Sequence, residues 1–268
     1  MIDEVSLLLR EVAEQVILPR FKRLTEGDIR LKSPGEDVTI ADEEAERLLT
    51  IALSEIAPGS IVVGEEAVAR RPDRLAGIAT GTVWLVDPLD GTTNFIEGSA
   101  CFSTMVAMLR DGEVVASWML SPATGILQVA EKGSGAQVNG RPVRCGVSPP
   151  WEELRGSVLT RFLPAELRTN ILGKMGTCRE ILPGLRCAGE EYPAIVRGMQ
   201  NFSVYWRTLP WDHAAGVLFL EEAGGKAARF DGRPYKPAEQ GFGLLAAQTA
   251  ELWSELHSKL FAEIDSQI

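Results

Sequence analysis

The chain has 268 residues, a formal net charge of -10 at neutral pH, 45% hydrophobic residues and 24% charged residues. That length allows a large core, the composition speaks against disorder and a membrane-embedded class, and the acidic balance argues against general nucleic-acid binding, which needs basic surface to displace counterions. With only His213 and His257 present, a histidine-rich metal site or histidine nucleophile has little raw material, so oxygen ligands remain, and they favour Mg²⁺ or Mn²⁺.

The first predicted element covers residues 5–22, where Val5, Leu8, Leu9, Val12, Val16 and Ile17 recur at helical spacing between charged residues. The beginning of the chain lacks a basic segment followed by an apolar run, and no stretch reaches the ~18 apolar residues of a membrane span, so a cytoplasmic protein is expected. Residues 25–37 concentrate turn formers and charge, which predicts a loop or a weak hairpin. Thr39-Ile40-Ala41-Asp42 then has capping-box spacing, with Asp in place of the usual Glu, ahead of a periodic run that predicts a helix over about 42–57. Asp42 falls in its first turn, where the helix dipole favours a carboxylate. Residues 60–63 read as a short buried strand that ends at Gly64-Glu65-Glu66, and residues 67–82 as a polar connection.

Trp84-Leu85-Val86 is bulky and apolar, as suits a strand buried on both faces, and it runs directly into Asp87 and Asp90. Pro88 is expected to stop strand pairing, while Gly91, Thr92 and Thr93 supply small residues at which backbone amides can begin a helix and face an anion. Acids beside an anion-ready helix start need a cation between them. The simplest arrangement is a divalent metal on Asp87 and Asp90, with a phosphate on the amides of Gly91 and Thr92. Two β-rich runs follow, 101–109 and 113–120, joined by the hairpin signal Asp111-Gly112, and turns at Gly133 and at Asn139-Gly140 extend the meander to about Pro142. Helices followed by a largely antiparallel sheet make an α+β pattern.

The second half predicts strands at 157–160 and 202–206 and helices at 164–176 and 191–199. A further helix, 211–220, is bounded by Pro210 and by Gly224-Gly225, and an amphipathic helix closes the chain over 249–268. Asp212 sits where a helix cap would, and His213 is expected on the helix surface or in the core. Cys101, Cys145, Cys178 and Cys187 lack C-x-x-C spacing and read as free buried thiols in a reducing compartment.

The run Asp87-Pro88-Leu89-Asp90-Gly91-Thr92 after a buried strand resembles the signature of the inositol monophosphatase family of metal-dependent phosphatases. Gly64-Glu65-Glu66 before it, and Trp211-Asp212 with Glu222-Ala223-Gly224-Gly225 after it, resemble further motifs of that family in the family's order. Asp37, Thr39 and Asp42 resemble its D-x-x-T-x-x-D segment, with one residue between Asp37 and Thr39. The resemblance implies one domain over 1–268, a layered α/β/α/β/α sandwich with sub-layers of about 1–145 and 146–268, and a homodimer. It further implies a lithium-sensitive phosphatase that uses Mg²⁺, or Mn²⁺, to hydrolyse a small phosphorylated alcohol.

Residue by residue, the resemblance implies one ion on Glu65, Asp87 and the Leu89 carbonyl, and a second on Asp87, Asp90 and Asp212. Thr92, held by Asp42, would orient the attacking water, and Glu66 would help to hold water. Three positions depart from the family's pattern. Tyr205 stands where the inositol phosphatases have a glutamate, Arg186-Cys187-Ala188-Gly189 replaces the usual Gly-Ser/Thr-Ala stretch, and Asn201 replaces an Asp. Ala188 and Tyr205 therefore join Asp90, Gly91, Thr92 and Asp212 as candidate substrate contacts. Inositol 1-phosphate-type compounds, histidinol phosphate, fructose 1,6-bisphosphate and 3′-phosphoadenosine 5′-phosphate all stay open as substrates, and so does a non-catalytic member that binds a macromolecular partner.

Overall fold

A computed structural model describes residues 1–261. Helix α1 (Ile2–Val12) runs on through a π-helical turn, Ala13–Ile17, and buries Val5, Leu9, Val12, Val16 and Ile17, the stripe that the spacing predicts. Residues 18–22, expected to be helical, form a turn instead. The 25–37 region contains a hairpin of β1 (Ile29–Ser33) and β2 (Glu36–Thr39). At the start of α2 (Ile40–Ile56) the capping box is formed: Ala41 N donates to Thr39 Oγ1 at 3.1 Å, and Thr39 N donates to Asp42 Oδ2 at 2.8 Å.

Strands β3 (Ile61–Gly64) and β4 (Thr82–Asp90) pair in parallel. Between them, where a polar connection is expected, lie α3 (Glu65–Arg70) and a 3₁₀ segment, Pro72–Gly77. An antiparallel meander continues from β4 through β5 (Ser103–Arg110), β6 (Glu113–Ser121), β7 (Ile126–Glu131), β8 (Gly135–Val138) and β9 (Arg141–Val143). Asp111 (φ 50°) with Gly112 (φ 80°), and Asn139 (φ 48°) with Gly140 (φ 75°), adopt the paired positive φ of tight hairpin turns.

Pro88 interrupts the β4–β5 ladder without ending it. Asp87 pairs with Met105 and Asp90 with Ser103, so Pro88 and Leu89 together oppose Thr104 alone, as in a bulge. Thr104 Oγ1 donates to the Pro88 carbonyl at 2.9 Å and takes up an acceptor that the ladder leaves over. A short helix, α4 (Thr92–Ile96), starts from Gly91.

The second sheet has the order β11-β10-β12-β14-β13, built from β10 (Arg155–Val158), β11 (Glu180–Leu182), β12 (Phe202–Arg207), β13 (Lys226–Ala228) and β14 (Phe242–Ala247). Strand β14 has only Phe242 as a strongly β-favouring residue, yet it lies between β12 and β13, so tertiary pairing sets its conformation. The remaining helices are α5 (Ala165–Lys174), α6 (Ala188–Val196), α7 (Pro210–Glu222) and α8 (Ala250–Phe261). The part of the predicted closing helix beyond residue 261 lies outside the described residues.

Three apolar clusters define the layers. Trp84, Val86, Leu89 and Trp118 of the first sheet pack under α1 and α2. Leu85 and Met105 on its other face meet Tyr192 of α6, Phe219 of α7 and Leu244 of the second sheet. Val204, Leu245 and Trp253 belong to the third cluster, which joins the second sheet to α5 and α8. The order is helix, sheet, helix, sheet, helix, the α+β sandwich that the resemblance implies. Helix α7 is buried on nearly every side, and a Cβ on its Gly216 would lie 2.0 Å from the Tyr192 ring.

Candidate metal centre

Three elements converge between the sheets. Asp87 comes from the bulged end of β4, Glu65 from the first turn of α3, and Asp212 from the first turn of α7. Their carboxylate oxygens lie within 4.8 Å of one another. Burial above all, and then the neighbouring acids, holds the Asp87 and Asp212 carboxyls well above the ordinary range. Acids packed this closely need either protons or a cation, and an all-oxygen donor set suits a hard divalent ion such as Mg²⁺ or Mn²⁺. The residues therefore fit the implied metal.

Asp90 stands beside this group without joining it. Its Oδ2 accepts from Gly189 N at 2.7 Å, its charge adds to the strain on Asp87 and Asp212, and burial pushes its own pKa up to about 7. The Leu89 carbonyl accepts from Thr92 Oγ1 at 3.0 Å and keeps a second lone pair. Thr92 Oγ1 is also 3.0 Å from Asp42 Oδ1, so the structure brings Thr92 and Asp42 together. Asp42 Oδ2 is occupied by Thr39, whose hydroxyl donates at 2.6 Å, and burial raises Asp42 to about 7.

Two participants escape the sequence reading. Lys32 of β1 donates to Glu65 Oε1 at 2.5 Å and to Glu66 Oε1 at 2.8 Å. Burial works against its charge, but the two carboxylates outweigh burial and raise its pKa. Glu46 of α2 is buried and accepts from Glu66 N at 2.7 Å, which satisfies an amide in the first turn of α3. Burial lifts Glu46 to about 7. A readable signal existed for Glu46, an acid four residues after Asp42 on the stripe of Leu49 and Leu53, whereas Lys32 sits in a turn-rich stretch that carried none.

Gly91 has φ 86°, and a Cβ there would come within 2.9 Å of the Cys101 carbonyl, so glycine is the residue that fits this turn. A cavity of about 780 Å³ opens over the acids and Gly91, with Ala188, Tyr205, Trp206, Arg207 and Phe162 on its other walls. Tyr205 is itself buried, stacked on Tyr192 at 5.6 Å, and its hydroxyl has no hydrogen-bond partner among the described residues. His213 is a core residue: Tyr192 Oη lies 2.8 Å from its Nδ1 and the Arg207 carbonyl 3.1 Å from its Nε2. Burial lowers His213 to about 4 and keeps it neutral. Asn201 lies elsewhere, clamping Arg155 N and Gln248 at 2.9 Å each. The cysteines correct the sequence reading in part, since all four are free but Cys187 alone is buried.

The sequence profile of the inositol monophosphatase family matches residues 2–268. A fructose-1,6-bisphosphatase/inositol-1-monophosphatase of Thermotoga maritima is 31% identical over 205 residues, 76% of either chain. An inositol-1-monophosphatase of Rhizobium meliloti is 34% identical over 221 residues, 80% of this chain and 79% of the relative. Nus factor SuhB of Escherichia coli K12 is 30% identical over 209 residues, 75% of this chain and 74% of its own. Among solved structures, the Thermotoga maritima IMPase superposes with a TM-score of 0.81 at 26% identity, covering 98% of both chains. With the match running through all three stretches that supply the carboxylate cluster, the chain belongs to the inositol monophosphatase family.

Proposed function

We propose that the protein is a divalent-cation-dependent phosphomonoesterase whose substrate is a small phosphorylated alcohol of the inositol 1-phosphate type. The observation that carries this reading is the Glu65, Asp87 and Asp212 cluster, set beside the Thr92–Asp42 pair and the Gly91 turn. The names of the Rhizobium and Thermotoga relatives support the reaction class.

Bound Mg²⁺ or Mn²⁺ supplies a lowered water pKa and offsets charge on the phosphate oxygens. Glu65, Asp87 and the Leu89 carbonyl would hold one ion, and Asp87, Asp90 and Asp212 a second. Thr92, fixed by Asp42, orients a water through its free lone pairs, while Glu66, charge-paired with Lys32, takes part in holding water. The amides of Gly91 and Thr92 receive the phosphate. Ala188 and Tyr205 form the alcohol side, where Tyr205 removes the carboxylate that an inositol ring would meet. Lithium sensitivity and a homodimer belong to the same reading.

The test is phosphate release with Mg²⁺ from inositol 1-phosphate, histidinol phosphate, fructose 1,6-bisphosphate and 3′-phosphoadenosine 5′-phosphate. Turnover is expected, strongest on the first compound, suppressed by added lithium and abolished in Asp87→Asn. A folded, Mg²⁺-binding protein that releases phosphate from none of the four would overturn the reading in favour of a partner-binding role.

A further inference from the structure

Glu191 lies in the first turn of α6 and is only 1% exposed, and its two carboxylate oxygens take four donors. Oε2 accepts from Ser157 Oγ of β10 at 3.0 Å, from Ser203 Oγ of β12 at 3.1 Å and from Gln200 Nε2 at 2.6 Å. Oε1 accepts from Leu185 N at 2.5 Å. Charge-assisted bonds of this kind are strong, and losing the acceptor would leave buried donors unmet. The side chain thus ties the connection 183–187, between β11 and α6, to two inner strands of the second sheet.

That connection is held from its other side as well. Asn94 Nδ2 donates to the Leu185 carbonyl at 2.8 Å, and Arg186 makes a two-armed pair with Glu97, Nη1 to Oε1 at 3.2 Å and Nη2 to Oε2 at 2.6 Å. Arg186 has φ 58°, a left-handed conformation that an arginine keeps only where its surroundings over-determine it. Three residues further on, the Gly189 amide donates to Asp90 Oδ2 at 2.7 Å. The backbone from Leu185 to Gly189 is therefore a short, strained span with Glu191 holding one end and Asp90 held by the other.

We propose that Glu191 is a positioning residue for the metal centre, which fixes the 185–189 backbone through the Leu185 amide and so keeps the Gly189 amide on Asp90. Its reach matters as well as its charge, because the carboxylate spans from the Ser157 and Ser203 hydroxyls to Leu185 N. Glu191→Asp keeps the charge and the serine contacts but, one methylene shorter, gives up Leu185 N. Glu191→Gln loses the charge but keeps the reach and an oxygen for Leu185 N. The role toward an ion rests on the proposed function, in which Asp90 is a ligand.

Mn²⁺ is titrated calorimetrically into the metal-free full chain and the two variants, and amide hydrogen exchange is followed residue by residue by NMR. In the wild type the Leu185 amide is expected to exchange as slowly as the amides of β12, although it lies outside every helix and strand. Glu191→Asp is expected to weaken Mn²⁺ binding ~10–100-fold and to speed exchange over 185–189 alone. Glu191→Gln is expected to match the wild type in both. Unchanged Mn²⁺ affinity in Glu191→Asp, equal losses in the two variants, or faster exchange spread over the whole second sheet overturns the proposal. Fast exchange of the wild-type Leu185 amide overturns it too, even where a variant does not fold. The split between the variants in a protein that releases no phosphate leaves the positioning role standing and removes the phosphatase reading, whereas phosphate release without the split does the reverse.

Discussion

Thr92 has one hydroxyl proton and two acceptors, Asp42 Oδ1 and the Leu89 carbonyl, each 3.0 Å away. Whichever acceptor takes the proton, these two contacts pin the hydroxyl oxygen on the cavity wall, and this fixes the position from which it can hold a water. Thr92→Val keeps the volume and removes the hydroxyl, leaving a buried carboxylate oxygen short of a donor. A loss of ~1–3 kcal/mol in stability is expected. Phosphate release should fall by ~10²–10⁴, measured as initial rates, with Thr92→Ser keeping most of the activity. At this scale the sequence was most informative where residues are consecutive. Asp87, Asp90, Gly91 and Thr92 form one local run, so their chemistry is written in their order. Lys32 was hidden because its partners are 33 and 34 residues away along the chain, and the lack of a partner for the Tyr205 hydroxyl among the described residues is a property of packing that no spacing encodes.

Helix α3 has six residues, fewer than two turns, so hydrophobic periodicity had too little length in which to show itself. What holds its start in place is Glu46, reaching from α2 to the Glu66 amide. Gly64 makes room for that contact: a Cβ there would lie 2.2 Å from Glu46 Oε2. Gly64→Ala should therefore displace Glu46, cost ~1–3 kcal/mol in thermal or urea unfolding, and weaken Mn²⁺ binding in calorimetric titration, because Glu65 opens the same helix. An unchanged Mn²⁺ affinity would separate the Glu46 contact from the metal centre. Longer elements were legible for the converse reason. The stripes of α1 and α2 repeat several times, and α7 is bracketed by Pro210 and Gly224. Strands β13 and β14 carry no legible strand pattern, since the pairing of β12 with β14 joins residues far apart in the chain and imposes strand geometry on leucines and alanines.

Over the whole molecule, Asp42, Glu46 and Asp90 share a pKa of about 7, above their ordinary values of 3.8 and 4.5, with burial the leading cause. Between those limits the folded state binds more protons than the unfolded chain, so these groups stabilise less as pH rises, and their full cost is reached above the folded pKa. His213, lowered to about 4 from 6.5, acts in the opposite sense, since its contribution is lost as pH falls through that window. A divalent ion bound by the deprotonated cluster offsets the carboxylate cost. The melting-temperature rise on saturation with Mg²⁺ should thus be larger at pH ~8 than at pH ~5.5, by at least ~2 °C in a scanning experiment. Equal shifts at the two pH values would show that the acids do not carry the binding. The division into two sheets was reached from the sequence only through the family resemblance, because the acids that meet at the centre come from three stretches spread over residues 65–212.

The bulge in β4 also settles a matter of parity. Upstream of it, Val83 and Leu85 face the layer between the sheets, while Trp84 and Val86 face α1 and α2. Downstream, Leu89 has joined Trp84 and Val86, and Asp90 has returned to the side of Asp87, where it meets the amide of Gly189. In an unbroken strand, acids three residues apart would stand back to back. The odd spacing and the irregular strand are therefore a single heritable character. Substitution at Pro88 or Leu89 leaves the count intact, whereas deletion of one residue would regularise the ladder and erase the spacing in the same event.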